Sequence, residues 1–269
     1  MIDLAGKLYI STIADDAAGL ALEYGLGLEI TEFCTAYNMD VDFEKWDGIV
    51  RRKMRGIGRF TFHAPYNELC PAAIDPLVAD VARTRYRQAY VLMRGYGINA
   101  MVAHAGFLPV LYHESWFVEK SAVFWKEFLS DKPADFRLYL ENMLEPSPDM
   151  LCDIIGAVDD ERFKLCLDIG HAANSGIDAS IEKWIGRTLP YLGHVHLNNN
   201  HGDYDSHNAL GDGNIDVRSA IRRIAGAAPD VTFTLESAAA GSSIDWLRAN
   251  SFLRGRHEQK NVFRAQGTE

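Results

Sequence analysis

The sequence predicts a single eight-stranded parallel α/β barrel, (β/α)8, over residues 1–269. Three observations predict it. Short apolar runs of strand length alternate with helix-periodic stretches from end to end. No Pro/Gly/Ser-rich linker or low-complexity segment divides them. Side chains able to bind metals or move protons recur where the apolar runs stop, the end at which such barrels place their active sites. A length of 269 residues with 48% hydrophobic composition suits one such unit, since these barrels run to roughly 250 residues.

The strands are expected at Leu8–Ile13, Gly27–Thr31, Phe60–His63, Ala100–His104, Arg137–Glu141, Phe163–Asp168, His194–Leu197 and Val231–Leu235. After the third, Ile74, Leu77, Val78, Val81, Ala82, Tyr86, Ala89, Tyr90 and Met93 recur at spacings of three and four, so they should form the buried stripe of a helix. Arg83, Arg87 and Arg94 fall off that stripe, and Pro76 falls in the first turn, where a missing N–H costs little. Trp116, Phe117, Phe124, Trp125 and Phe128 read as the packing face of another helix. After strand seven, Asp216 can cap a helix that buries Val217, Ala220, Ile221 and Ile224 and turns Arg222 and Arg223 to solvent. The basic run Arg51, Arg52, Lys53, Arg55, Arg59 precedes strand three and should lie near the face opposite the site, as a solvated surface.

The formal charge of -10 includes four acidic residues that are themselves candidate ligands, so it argues only weakly against an anionic substrate. Cys34, Cys70, Cys152 and Cys166 form no CxxC pair, which indicates reduced thiols rather than a disulfide framework or zinc ribbon. The opening MIDLAGKLYIST lacks a basic segment followed by an apolar one, and no apolar stretch of about 18 residues occurs, so a soluble cytoplasmic protein without membrane contact is expected.

Nine candidate ligands stand at or just beyond strand ends: His63 in TFHAP, His104 in MVAHAG, Glu141 in LYLEN, Asp168 and His171 in LCLDIGH, His196 in HVHLN, Asp205 and His207 in DSHN, and Glu236 in TFTLES. Taken singly each has an ordinary reading, as a packed histidine, a local cap or a solvated loop residue. The barrel rule brings all nine to one face, and that convergence reads as a metal site. Imidazole with carboxylate suits zinc, manganese or ferrous iron, and the lack of thiolate argues against a closed structural zinc. His194, two residues before His196, points to the same side one layer deeper, as core or as support for a ligand. His113 and His201 have no matching role.

LEN, LDIGHA and HVHLNNN, followed by DSH and LGDGNID, occur in order at compatible spacing. In these motifs the chain resembles the xylose isomerase-like TIM-barrel superfamily over nearly its whole length, in the branch that holds endonuclease IV and sugar phosphate isomerases/epimerases. The resemblance to endonuclease IV implies two or three divalent metal ions, zinc first and manganese or iron next. One would be held by His63, His104 and a bridging Glu141, a second by Glu141, Asp168, His196 and Glu236, and a third by His171, Asp205 and His207. It implies metal-assisted hydrolysis with Glu141 and Glu236 as catalytic groups, and Tyr66, Asn67, Asn142 and Asn198 as substrate contacts.

The DNA enzymes carry an apolar wedge where this chain has Asn67, and a basic, glutamine-rich segment where it reads TEFCTAYNMD. Expected top-face segments 32–42, 64–69, 105–110, 142–147, 169–177 and 198–214 hold no lysine or arginine. Duplex binders draw much of their affinity from such residues on phosphates, so duplex DNA is an unlikely partner and the substrate should be small. Hydrolysis of a small phosphoester or phosphodiester is the leading expectation. The alternative is a sugar or sugar-phosphate isomerase/epimerase with one ion and Glu141 and Glu236 as acid/base pair. Against it, the ketose epimerases carry an arginine in the segment after the strand-seven histidine, which here reads HLNNNHGD, and four histidine and aspartate ligands would be left over. A barrel using metal only for binding or stability finds no support in the loops.

Overall fold

In the computed structural model, residues 2–175 and 180–254 are described. Eight parallel strands close a barrel in sequence order: β1 Leu8–Ser11, β2 Gly27–Ile30, β3 Phe60–His63, β4 Ala100–His104, β5 Arg137–Glu141, β6 Phe163–Asp168, β7 Leu192–Leu197 and β8 Thr232–Leu235. The helices are α1 Ala17–Tyr24, α2 Tyr37–Asp40, α3 Phe43–Lys53, α4 Pro76–Gly95, α5 Glu114–Leu129, α6 Asp149–Val158, α7 Ile169–Ala173, α8 Ile181–Thr188, α9 Val217–Ala227 and α10 Ala240–Ala249. Strand limits depart from expectation by one or two residues where the chain leaves the sheet. β1 stops at Ser11 because Ile13 turns outward to solvent, and β7 starts two residues early.

The strands alternate. Residues such as Leu28, Phe62, Leu140, Leu167, Val195 and Phe233 face the helices and are fully buried. The opposite set points into the barrel, and much of it is polar: Glu29, Thr61, His194, Thr232 and Thr234 lie below the level of the ligands. Pairing then aligns the ligands laterally, with His104 opposite Glu141 and Asp168 opposite His196, while the Glu236 N–H bonds the Leu197 carbonyl at 3.0 Å.

Helix α4 begins as expected, with Pro76 in its first turn and Asp75 accepting from the Leu77 N–H at 2.8 Å, but its buried stripe is shorter than predicted. Ala82, Tyr86, Ala89 and Met93 are buried, whereas Ile74, Leu77, Val78 and Val81 are exposed, Leu77 to 72%. Twenty helical residues span about 30 Å. The five residues of β4 span only about 17 Å. The first turns therefore overhang the sheet and have nothing to pack on. On α5, Phe117, Phe124, Trp125 and Phe128 are core, while Trp116 is partly exposed and donates to the Ala72 carbonyl at 3.2 Å. Asp216 caps α9 through the Ser219 N–H at 3.0 Å, and Arg222 and Arg223 face solvent. The four cysteines are free. Among the described residues no helix is long and apolar enough to cross a membrane.

Candidate metal centre

The nine predicted ligands converge in three sets at the carboxyl ends of the strands, two of which share Glu141. His63, His104 and Glu141 form one; Glu141, Asp168, His196 and Glu236 a second; His171, Asp205 and His207 a third. Within each set the ligand atoms lie within 4.8 Å of one another. Glu141, Asp168 and His196 are wholly buried and Glu236 nearly so. His196 Nδ1 is 3.0 Å from Glu141 Oε1 and 2.9 Å from Glu236 Oε2, with Asp168 Oδ2 at 4.0 Å. His63 Nε2 and His104 Nε2 each lie 3.3 Å from Glu141 Oε2, and His171 Nε2 and His207 Nε2 lie 3.1 Å and 2.9 Å from Asp205 Oδ2.

Each of three imidazoles is oriented from behind. His63 Nδ1 bonds the Ala64 carbonyl at 2.9 Å, His171 Nδ1 the Asn142 carbonyl at 2.8 Å, and His207 Nδ1 the Glu236 carbonyl at 2.9 Å. A carbonyl only accepts, so these Nδ1 atoms carry a proton and Nε2 is the atom left to bind a metal once its own proton is displaced. Glu141 Oε2, Glu236 Oε2 and Asp205 Oδ1 are buried without a hydrogen-bond partner. Buried carboxylate oxygens without a donor are costly unless a cation sits beside them, so the residues fit divalent metal ions.

The electrostatics agree. Burial raises the Asp168 carboxyl to about 6, the nearby His171 opposing and the like charges of Glu236 and Glu141 reinforcing. Burial alone would lower His207, but the Asp205 hydrogen bond and the charges of Glu236, Asp168 and Asp205 push it up to about 10. Burial would lower His171 and His196 too, yet both are held well above the usual imidazole value, His171 by Asp168, Asp205 and Glu141, and His196 by Cys166 and the carboxylates of Glu141, Glu236 and Glu29. The cluster attracts positive charge.

The HLNNN segment supplies the frame. Asn198 Nδ2 donates to Asp168 Oδ2 at 2.7 Å, Asn199 Nδ2 to the Leu210 carbonyl at 2.9 Å, and Asn200 Nδ2 to the Gly170 carbonyl at 3.0 Å. A two-way bridge between Asn199 and Asn208, at 3.1 and 2.9 Å, pins the loop that carries Asp205 and His207. His207 holds φ 46°, a left-handed backbone uncommon outside glycine and typical of functional sites. Gly213 has no room for a side chain, since a Cβ would lie 2.5 Å from the Asn200 carbonyl oxygen and from Asn199 Cγ.

Of the residues expected to touch substrate, Tyr66 lines the cavity and stacks on His104 at 4.4 Å between ring centroids. The others are placed differently. Asn142 is buried, donating to the Asp168 carbonyl at 3.0 Å and accepting from its N–H at 2.8 Å, so its side chain is engaged in fixing a ligand. Asn198 does the same work, and Asn67 points to solvent away from the cavity lining.

The cavity over the clusters encloses about 540 Å³. Its far wall holds Thr12, Thr31, Glu32 and Trp46, and also Lys53, expected on the opposite face. Lys53 Nζ reaches Glu32 Oε1 and the Thr12 carbonyl, both at 2.9 Å, because α3 leans over the mouths of β1 and β2. Arg59 keeps to expectation, bonding the Ala5 and Gly6 carbonyls at the amino end of β1. Gly176 and Ile177, in the segment expected to lack cations, lie outside the described residues. Sequence reasoning also missed Glu29: in β2 it is a lone acid among apolar residues, yet it sits fully buried against His194 and His196. Burial would raise its carboxyl, but the two imidazoles hold it well below the usual range.

The sequence matches the family described as xylose isomerase-like TIM barrel over residues 20–250. An uncharacterised protein of Methanocaldococcus jannaschii is 24% identical over 184 residues, 65% of this chain and 63% of that protein. The match thus spans less than two thirds of that relative's length. A D-tagatose 3-epimerase-like protein has a similar structure, with a TM-score of 0.73 at 20% identity, covering 91% of this chain and 96% of the other. A Thermus thermophilus protein soaked with zinc chloride superposes with a TM-score of 0.72 at 24% identity, covering 91% and 97%. The D-psicose 3-epimerase of Clostridium cellulolyticum, with D-tagatose, gives 0.63 at 18% identity, covering 85% and 83%. At these identities the likeness establishes the fold.

Proposed function

Given that this chain belongs to the xylose isomerase-like TIM-barrel family, we propose that it is a metal-dependent sugar isomerase or epimerase in which Glu141 and Glu236 pass protons at carbons beside a carbonyl. This replaces phosphoester hydrolysis as the leading reading. One observation carries it: two buried glutamates approach the same nitrogen, His196 Nδ1, at 3.0 and 2.9 Å within the four-residue set. Such a pair can take a proton on one side of a bound carbonyl and return it on the other. A divalent ion held by Glu141, Asp168, His196 and Glu236 would polarise that carbonyl.

Glu236 is suited to act as base. Burial would raise its carboxyl, but His196 lowers it further, so it is ionised near neutral pH, and it lines the cavity. Tyr66 and Trp46 give the cavity aromatic walls, and about 540 Å³ falls within the range of small-molecule sites. Among the described lining residues Lys53 is the only lysine or arginine, and it is paired with Glu32, which supports a small substrate over duplex DNA. The epimerase names of two structural relatives support the same reaction class.

A second reading, hydrolysis of a small phosphoester, rests on the two further sets, His63 with His104 and His171 with Asp205 and His207, which proton transfer beside one chelated carbonyl does not require. One experiment separates them: metal-loaded protein is offered ketoses in deuterated water and, in parallel, small phosphodiesters. The proposal expects solvent deuterium at a sugar carbon, lost in Glu236→Gln. Phosphoester turnover without exchange would establish the hydrolase instead.

A further inference from the structure

We infer that Glu29 is the positioning residue of the four-residue centre: from inside the barrel it holds His196 so that Nε2–H faces the Glu29 carboxylate and Nδ1, the atom left to bind a metal, faces Glu141, Asp168 and Glu236. The inference rests on the metal-centre reading and adds a residue that is not itself a ligand. His196 differs from the other anchored imidazoles in two ways. It turns Nδ1, not Nε2, toward the cluster, and its anchor is a carboxylate rather than a backbone carbonyl. Nε2 lies 3.1 Å from Glu29 Oε1 and 3.3 Å from Oε2.

Glu29 is wholly buried, and an uncompensated carboxylate there would be very costly. A cradle compensates it. Thr61 Oγ1 donates to Glu29 Oε2 at 3.0 Å and Thr234 Oγ1 does so at 3.1 Å, while His194 Nε2 lies 3.4 Å from the same oxygen. His194 is fixed in turn by Thr232 and Thr234, at 2.6 and 2.8 Å, and stacks on Tyr139. Every member comes from an inward position on β2, β3, β5, β7 or β8, one layer beneath the ligands. Rotating the His196 ring would take one of its few donors from the buried Glu29, so the cradle locks both ring orientation and the nitrogen that carries the proton. A carboxylate behind a ligating imidazole also strengthens the lone pair opposite, which a carbonyl does less well.

A merely structural Glu29 would alter the stability of the metal-free protein and leave the bound metal untouched. The test is therefore made on cobalt(II) in a His104→Ala/His207→Ala background, which leaves the four-residue set intact. Affinity is read by chelator competition and geometry by the visible absorption bands. Glu29→Gln keeps the shape and an acceptor for Nε2–H while removing the charge. It is expected to weaken cobalt binding about 10- to 100-fold and to shift the bands. Thr61→Val removes one hydroxyl from Glu29 Oε2 and is expected to act in the same direction by a few-fold, roughly, which carries the test should Glu29→Gln fail to fold. Folded variants with unchanged affinity and unchanged bands would overturn the role of Glu29. A background protein that binds no cobalt would overturn the centre itself, and this role with it.

Discussion

Replacing Gly170 by alanine should unseat Asp168 without touching a ligand. Gly170 is the second residue of α7, two positions after Asp168, and a Cβ there would overlap Asn198 Oδ1, with Cγ at 2.8 Å and Nδ2 at 3.1 Å. Asn198 has no free space, being wholly buried, and its Nδ2 is committed to Asp168 Oδ2 at 2.7 Å. Relieving the overlap must move Asn198 and break that bond. Overpacking costs about 1–3 kcal/mol and a hydrogen bond to a charged group contributes about 1.5–3 kcal/mol, so a loss of about 2.5–6 kcal/mol is expected. Urea denaturation of chelator-treated protein measures it as a fall in midpoint at unchanged slope. Gly170→Ala/Asn198→Ala removes the overlapping atoms, so the double variant should be more stable than the sum of the single losses predicts. A Gly170→Ala protein within about 0.5 kcal/mol of wild type, or strict additivity in the double variant, would refute the reasoning.

Glu145 is buried, with Met143 N–H donating to its Oε2 at 2.6 Å, and burial raises its carboxyl from 4.5 to about 7. Its folded value lies above the unfolded one, so the stability it contributes is complete below pH 4.5 and is lost as pH rises to about 7, a loss of about 3 kcal/mol. Glu145→Gln should therefore gain on wild type across that window and level off above it; parallel pH profiles of unfolding would exclude the buried acid as the cause. His207 in the metal-free protein keeps its proton up to about pH 10, and metal binding must displace it. Apparent zinc affinity should rise between pH 6.5 and 9 with proton release, measurable by titration calorimetry in buffers of different ionisation enthalpy; pH-independent affinity would contradict this. Glu141→Gln should lower metal content more than His207→Ala, because Glu141 belongs to two of the predicted ligand sets and His207 to one; equal retention in elemental analysis would remove the bridging role.

Much of this arrangement is legible along the chain, because β-strand periodicity places every second residue inward and the register does the rest. Glu141, Asp168, His196 and Glu236 stand at or just past the last inward positions of four neighbouring strands, so reading the strands locates the ligands. Asp205 and His207 are legible only as a motif, since it takes the Asn199–Asn208 bridge to bring their loop to the cluster. Glu29 escapes for a related reason. Its partners Thr61, His194, His196 and Thr234 come from β3, β7 and β8, and nothing in GLEI announces them. Lys53 escapes because it closes on Thr12, 41 residues away, from a helix whose tilt the sequence does not encode locally. Asn142 and Asn198 carry the right residue type for substrate contact, but each satisfies Asp168 instead. The early turns of α4 show the converse, a correct apolar period with no surface to meet it.

The central claim is that the converging carboxylates and imidazoles hold catalytic metal. Anomalous X-ray scattering at the zinc and manganese edges, from crystals grown with each ion, tests it most directly. The account predicts a peak among Glu141, Asp168, His196 and Glu236, with His196 bound through Nδ1 and its Nε2 on Glu29. Density for metal only at surface residues, with His196 Nδ1 bonded as a proton donor to Glu141 or Glu236, would contradict it.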